Sequence, residues 1–261
     1  MSRTSRQPHS RIRRWAKLAR RRIVEAPRWA QIGGALALGC IAIVAINLTY
    51  QVIRKPTELL FFLGNSFSKQ PHETWRQYGP LFRTYATRTI SAELLAALAQ
   101  IESSGNPVDR TYWRWRLNYN PFKIYQPAST AVGLFQTTDP AYSEVARYCI
   151  RENAVADTGC GLVPYIRVIP SHAVELASIY LDRNLAAVLT RAGNLSVTQR
   201  QREDLAALIH LCGGGPATAY ARRRFQMAAN ERCGDHLAAS YLSKVNAMKR
   251  RFQELATRQG S

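Results

Sequence analysis

Between residues 30 and 52 the chain has no charged residue and no proline, and Arg54 and Pro56 close the run. At 1.5 Å rise per residue, about 20 apolar residues in a helix cross the hydrocarbon core of a bilayer. Ala, Leu, Ile and Val dominate the stretch, with Gly33, Gly34 and Gly39 among them, and Trp29 and Tyr50 stand near its ends, where amphipathic rings favour the membrane interface. Ahead of it lie Arg3, Arg6, Arg11, Arg13, Arg14, Lys17, Arg20, Arg21, Arg22 and Arg28, opposed by Glu25. Such a cluster stays on the cytoplasmic side, which places the C-terminal part outside. A cleaved signal peptide also starts basic, but the run is long and Thr49, Tyr50 and Gln51 offer no small-x-small cleavage pattern. The expectation is an uncleaved inner-membrane anchor: a basic cytoplasmic tail over 1–29, a transmembrane helix over 30–53, a stalk over 54–71 and a periplasmic domain over 72–261.

That tail supplies much of the formal net charge of +19 on 261 residues. Phosphate neutralisation would be another reason for such an excess. Its position directly before an apolar run favours the membrane, and no nucleic-acid partner is expected. Hydrophobic residues make up 46% of the chain, enough for the domain to bury a real core.

Cys40 lies within the apolar run, leaving Cys149, Cys160, Cys212 and Cys233 beyond it. Four cysteines allow three pairings, and the periplasm permits disulfides. The near pairs Cys149–Cys160 and Cys212–Cys233 are expected, with four reduced thiols as the alternative. His210 and His236 flank the second pair, but His210 and Cys212 are two apart on an expected helix and do not share a face. No metal and no cofactor is expected.

The stalk carries the apolar cluster Leu59, Leu60, Phe61, Phe62 and Leu63. Helices are expected over 73–85, from a cap at Ser91 to a stop at Gly105 and Pro107, and over 142–150, 171–189, 196–211, 217–227 and 236–256. Few runs alternate at strand period. The domain reads as mainly α.

On the helix opened by Ser91, Leu94, Leu95, Leu98, Ile101 and Glu102 fall on one stripe, so Glu102 points where leucines point. Lost hydration disfavours its charged form, and the negative end of the helix dipole adds a push in the same direction. Both effects suit a general acid acting on a glycosidic oxygen. The plain alternative is a carboxylate paired with Arg110 or Arg114.

The surroundings carry more information. Glu102-Ser103-Ser104-Gly105-Asn106-Pro107 resembles the E-S-x-x-N-P motif of the soluble-lytic-transglycosylase type of catalytic domain. Ala131-Val132-Gly133-Leu134-Phe135-Gln136 resembles its second motif, G-L-M-Q, with Phe135 in place of Met. Tyr241-Leu242-Ser243-Lys244-Val245 resembles its late Y-V-x-x-V helix. The resemblance covers roughly residues 90–245. It implies a lysozyme-like, goose-type helical domain with a groove for peptidoglycan glycan strands. Members of that family break the β-1,4 bond after N-acetylmuramic acid without adding water. One glutamate protonates the leaving oxygen, then takes the C6 hydroxyl proton as a 1,6-anhydro ring closes.

By that resemblance Glu102 is the catalytic residue. Ser103 would support it or a sugar acetamido group, Gly133, Leu134, Phe135 and Gln136 would line the groove, and Tyr241 would approach the carboxyl. Each also has a plain packing explanation: Ser103 can satisfy a helix end, Gly133 a turn, Gln136 a solvated position, and Tyr241 a core stripe with Val245, Met248, Phe252 and Leu255. The family's A-Y-N-A-G stretch is replaced here by Leu208-Ile209-His210-Leu211-Cys212-Gly213. His210 then takes the tyrosine's place, either as a substitute hydrogen-bonding group or as a core histidine.

The segment between the first two motifs is longer than the family pattern and holds Tyr112, Trp113, Trp115, Tyr119, Phe122 and Tyr125, interleaved with Arg110, Arg114, Arg116 and Lys123. Flat aromatic faces stack on sugars and cations suit peptidoglycan carboxylates, so Tyr112, Trp113, Trp115 and Tyr119 are candidate groove contacts, against a small aromatic core beneath a loop. Two other readings stand beside the transglycosylase. One is a muramidase using a second carboxylate such as Asp109 or Asp139. The other is a catalytically poor glycan-binding module of an envelope-spanning machine, for which secretion or conjugation apparatus are plausible hosts.

Overall fold

The computed structural model describes residues 24–161, 164–228 and 230–260, the side chains of 61–65 and 260 excepted. The arginine-rich stretch 1–23, and the side chains of Phe61, Phe62 and Leu63 in the stalk, lie outside the described residues. The chain forms two units, one comprising residues 1–56 and 114–126, the other 57–113 and 127–261.

The smaller unit is built on α1, Arg28–Arg54. Among the described residues it is the one helix long and apolar enough to cross a membrane. Helix-favouring Ala and Leu and the absence of internal proline let it run unbroken. Residues 114–126 add most of a hairpin, β1 (Trp113–Trp115) with β2 (Tyr125–Pro127), whose loop contains one 3₁₀ turn, Pro121–Lys123.

The larger unit is mainly helical: α2 (Pro71–Thr84), α3 (Ala92–Ser103), α4 (Asp139–Val145), α5 (Pro170–Arg191), α6 (Gln199–Cys212), α7 (Gly214–Arg222) and α8 (Ala238–Gly260). Ser91 Oγ accepts from Leu94 N at 3.3 Å and sets the start of α3. The helix is buried on every side: Leu94, Leu95 and Leu98 are fully enclosed, and so are Ala96, Ala97 and Ala99. The three leucines contribute roughly 2 kcal/mol apiece by burial, and the alanines let neighbouring helices approach closely. Trp75 and Phe82 from α2 and Phe252 from α8 complete this core. At its far end Ser104 and Gly105 turn left-handed (φ 53 and 66), and Gly105 N reaches back to Ala99 O. A side chain at 105 would place its Cβ 2.3 Å from Thr74 Oγ1, so α2 seats directly against this turn.

Polar ties fix the helix ends. Lys249 of α8 and Glu203 of α6 form a buried ion pair, and Glu203 Oε1 also accepts from Ser91 Oγ at 2.7 Å. The cap of α3 is thereby linked to two other helices. Cys149–Cys160 and Cys212–Cys233 stand at disulfide distance, with Cα separations of 5.5 and 5.3 Å, the near pairing expected from spacing.

Three expected elements differ. The helix over 142–150 ends at Val145, and Cys149–Arg151 (β3) pairs antiparallel with Ala154–Ala156 (β4). Glu152 and Asn153 both take positive φ (50 and 58), the backbone of a two-residue hairpin turn. The glycine run 213–215 ends one helix and opens the next: Gly213 (φ 77) is the hinge and α7 starts at Gly214 rather than 217. His236 belongs to a short strand, β6 (His236–Leu237), paired with β5 (Arg232–Cys233) ahead of α8. Pro56–Phe67, within the stretch expected as a stalk, forms a 3₁₀ helix, and from residue 57 it belongs to the larger unit.

Replacing Lys249 by Met leaves the Glu203 carboxylate buried without its cation and should cost about 3 kcal/mol of stability. Adding Glu203→Leu should recover part of it. Urea unfolding of the full chain in detergent micelles, followed by near-ultraviolet circular dichroism, reads both changes.

Candidate active site

The last turn of α3 presents Glu102 where the all-round burial of the helix gives way; its side chain is 20% exposed. Tyr241, in the first turn of α8, donates its hydroxyl to Glu102 Oε1 at 2.5 Å. His210, in the last turn of α6, brings Nε2 to 3.5 Å from the same oxygen. Among the described residues Oε2 accepts no hydrogen bond. Three helices distant in sequence thus meet at one carboxylate, with Oε1 held by Tyr241.

Arg110 pairs with Glu58 at 2.6 Å, and Trp113 Nε1 donates to the same Glu58 oxygen at 2.8 Å. Among the described residues no arginine pairs with Glu102.

Burial, then the charge of Glu102 and the hydrogen bond to it, push the Tyr241 hydroxyl far above its ordinary value near 10. Tyr241 therefore stays a donor throughout the neutral range. The stability gained from a raised folded-state value is complete below about pH 10 and is lost in stronger alkali.

Beside Glu102 lies a cleft of about 180 Å³, lined among others by Phe135, Gln136, Thr137, Tyr180, His210 and Leu211. Its wall is the second motif folded into a tight turn. Gly133 (φ 83) and Gln136 (φ 46) are both left-handed, and Gln136 N and Nε2 donate to Gly133 O at 3.1 and 3.0 Å. Leu134 and Phe135 are buried beneath the turn. Ser103 Oγ donates to Ala99 O at 2.9 Å and to Leu134 O at 3.0 Å. The serine therefore stitches the first motif to the second. It stands beneath the cleft, as does Leu134, and neither is among the residues lining it. Gly133 is a shape requirement: a Cβ there would lie 2.4 Å from Arg167 O.

The structure brings Glu102, Tyr241, His210, Phe135 and Gln136 together. Tyr112 is exposed and absent from the cleft wall, Trp113 is bound to Glu58, and Trp115 and Tyr119 belong to the smaller unit. Asp139 is engaged by Arg167 at 2.6 Å. Asp109 is half-buried, and burial raises its carboxyl above the usual range, the neighbouring Arg110 opposing this in part. Sequence reasoning missed Tyr180 on α5 and Thr137 and Thr138 at the cap of α4. Tyr180 is indistinguishable in sequence from a core tyrosine on an amphipathic helix, whereas Thr138 before Asp139-Pro140 carries an ordinary cap signal.

No family model and no curated protein matches the chain.

Gly133→Ala combines a left-handed backbone with a collision against a carbonyl and should cost more than about 2 kcal/mol. Gly193→Ala, also left-handed (φ 99) but with open space around it, should cost about 1 kcal/mol. Chemical unfolding of the two variants side by side checks the difference.

Proposed function

We propose that the chain is a membrane-tethered lytic transglycosylase with a lysozyme-like domain, cleaving peptidoglycan glycan strands through Glu102. The observation that carries this reading is the asymmetry of that carboxyl. Tyr241 donates to Oε1 and His210 stands 3.5 Å from it, while among the described residues Oε2 accepts no hydrogen bond beside a cleft. One carboxyl acting twice needs this arrangement: a fixed position and one oxygen free to give and regain a proton.

In the proposed reaction Glu102 protonates the β-1,4 glycosidic oxygen and the bond to muramoyl C1 breaks. The carboxylate then takes the proton of the C6 hydroxyl as that oxygen bonds to C1. The products are a new C4 hydroxyl and a 1,6-anhydro end, no water is consumed, and Glu102 ends protonated as it began. Tyr241, held neutral, stabilises the carboxylate between the two transfers. Among the described residues lining the cleft Glu102 is the one carboxylate. A hydrolase that positions water with a second carboxyl is less well served, since Asp139 is occupied by Arg167.

The setting supports the same substrate. An apolar N-terminal helix after an arginine cluster favours a single-pass inner-membrane protein with its N-terminus in the cytoplasm. Two cysteine pairs at disulfide distance fit a periplasmic domain.

Incubation of the full chain in detergent with purified peptidoglycan, followed by mass spectrometry, tests the reading. The expected products carry anhydro ends, one water lighter than reducing ends. Reducing ends would favour the muramidase, and intact strands a binding module.

A further inference from the structure

The membrane helix is inside out in a specific place. Ile32, Leu36, Leu38 and Ile41 of α1 are 61–69% exposed, while its two buried residues are both carboxamides, Asn47 and Gln51. Each donates to a backbone carbonyl of the hairpin loop, Asn47 Nδ2 to Pro121 O at 2.9 Å and Gln51 Nε2 to Phe122 O at 2.8 Å. Between them the ring of Tyr50 packs 4.7 Å from that of Phe122. The accepting turn is shaped in advance, because Asn120 Oδ1 accepts from Phe122 N at 2.9 Å.

Depth along α1 follows from its length. From Trp29 to Tyr50 the helix rises roughly 30 Å, the thickness of the hydrocarbon core, so these two rings mark its two faces. Asn47 and Gln51 straddle the second face. In lipid the N–H groups of a bare carboxamide there would lack acceptors; the loop carbonyls accept from both, while Asn47 Oδ1 accepts no hydrogen bond among the described residues. The docked loop is itself composed as an interfacial element. Leu117 and Tyr119 at its tip are wholly exposed, Trp115 is 64% exposed and stacks on Tyr125, and Arg114, Arg116 and Lys123 lie among them.

We propose that residues 114–126 are a second membrane anchor. They dock on the end of α1 through Asn47 and Gln51 and seat Trp115, Leu117 and Tyr119 among the lipid headgroups of that leaflet. The occupant of this exposed aromatic and apolar tip is the lipid interface that α1 itself crosses, and Trp115 and Tyr119 are lipid contacts and not sugar platforms. The proposal rests on α1 spanning the bilayer and is independent of the glycan-cleaving reading.

The test uses the full chain with Cys40→Ser and Leu117→Cys, labelled at 117 with the fluorophore NBD, in nanodiscs of phosphatidylcholine and phosphatidylglycerol. The protein leaves position 117 bare, so any shielding there comes from lipid. Expected are a blue-shifted emission, stronger quenching by a spin label near the headgroups than by one deep in the acyl chains, and iodide quenching about threefold or more below that of NBD-cysteine in water. Iodide quenching equal to that of the free dye would overturn the proposal. In the same chain, Asn47→Ala with Gln51→Ala should raise iodide quenching about twofold as the loop loses its seat. Unchanged quenching would overturn the docking on α1. Because the readout is fluorescence, an inactive enzyme and a misplaced loop give distinguishable results.

Discussion

The hydrogen bond from Tyr241 to Glu102 Oε1 joins side chains 139 residues apart. Its formation requires α3 and α8 to pack closely, which the alanines of α3 permit, and requires α8 to start in the right register after the β5–β6 hairpin. The Cys212–Cys233 pair ties that hairpin to the end of α6, two residues beyond His210. Core, cysteine pair and carboxyl clamp are therefore one construction. The buried Lys249–Glu203 pair extends it to the cap of the helix that bears Glu102.

Ser103 shows why neighbouring motif residues need not share a role. Glu102 and Ser103 are adjacent in sequence, but a helix turns about 100° per residue. One side chain reaches the cleft, and the other is buried against Leu134 O. The serine carries the second motif to the first, and the left-handed Gly133 lets that turn approach Arg167 O. The spacing of these residues is thus a requirement of shape as much as of chemistry.

Much of this was legible in the sequence. The apolar run, the cap at Ser91, the stop at Gly105 and the near cysteine pairs all rest on local rules, and the structure follows them. The turn at Glu152-Asn153 was not legible, since glutamate is an unusual residue for positive φ. The role of the aromatic segment was open for a different reason. Trp and Tyr beside Arg suit sugars and lipid headgroups equally, and composition alone does not choose. Its attachment to α1 depends on Asn47 and Gln51, about 70 residues earlier. Tyr180 was hidden because a cleft-lining tyrosine and a core tyrosine leave the same periodic trace.

Glu102→Gln keeps the size of the side chain and its hydrogen-bonding capacity while removing the exchangeable proton. The rate of strand cleavage by this variant, measured together with its affinity for the strands, addresses the central claim most directly. A proton donor and acceptor predicts a loss on the order of a thousandfold in rate with binding retained. A variant that cuts strands as fast as the unaltered chain would contradict it.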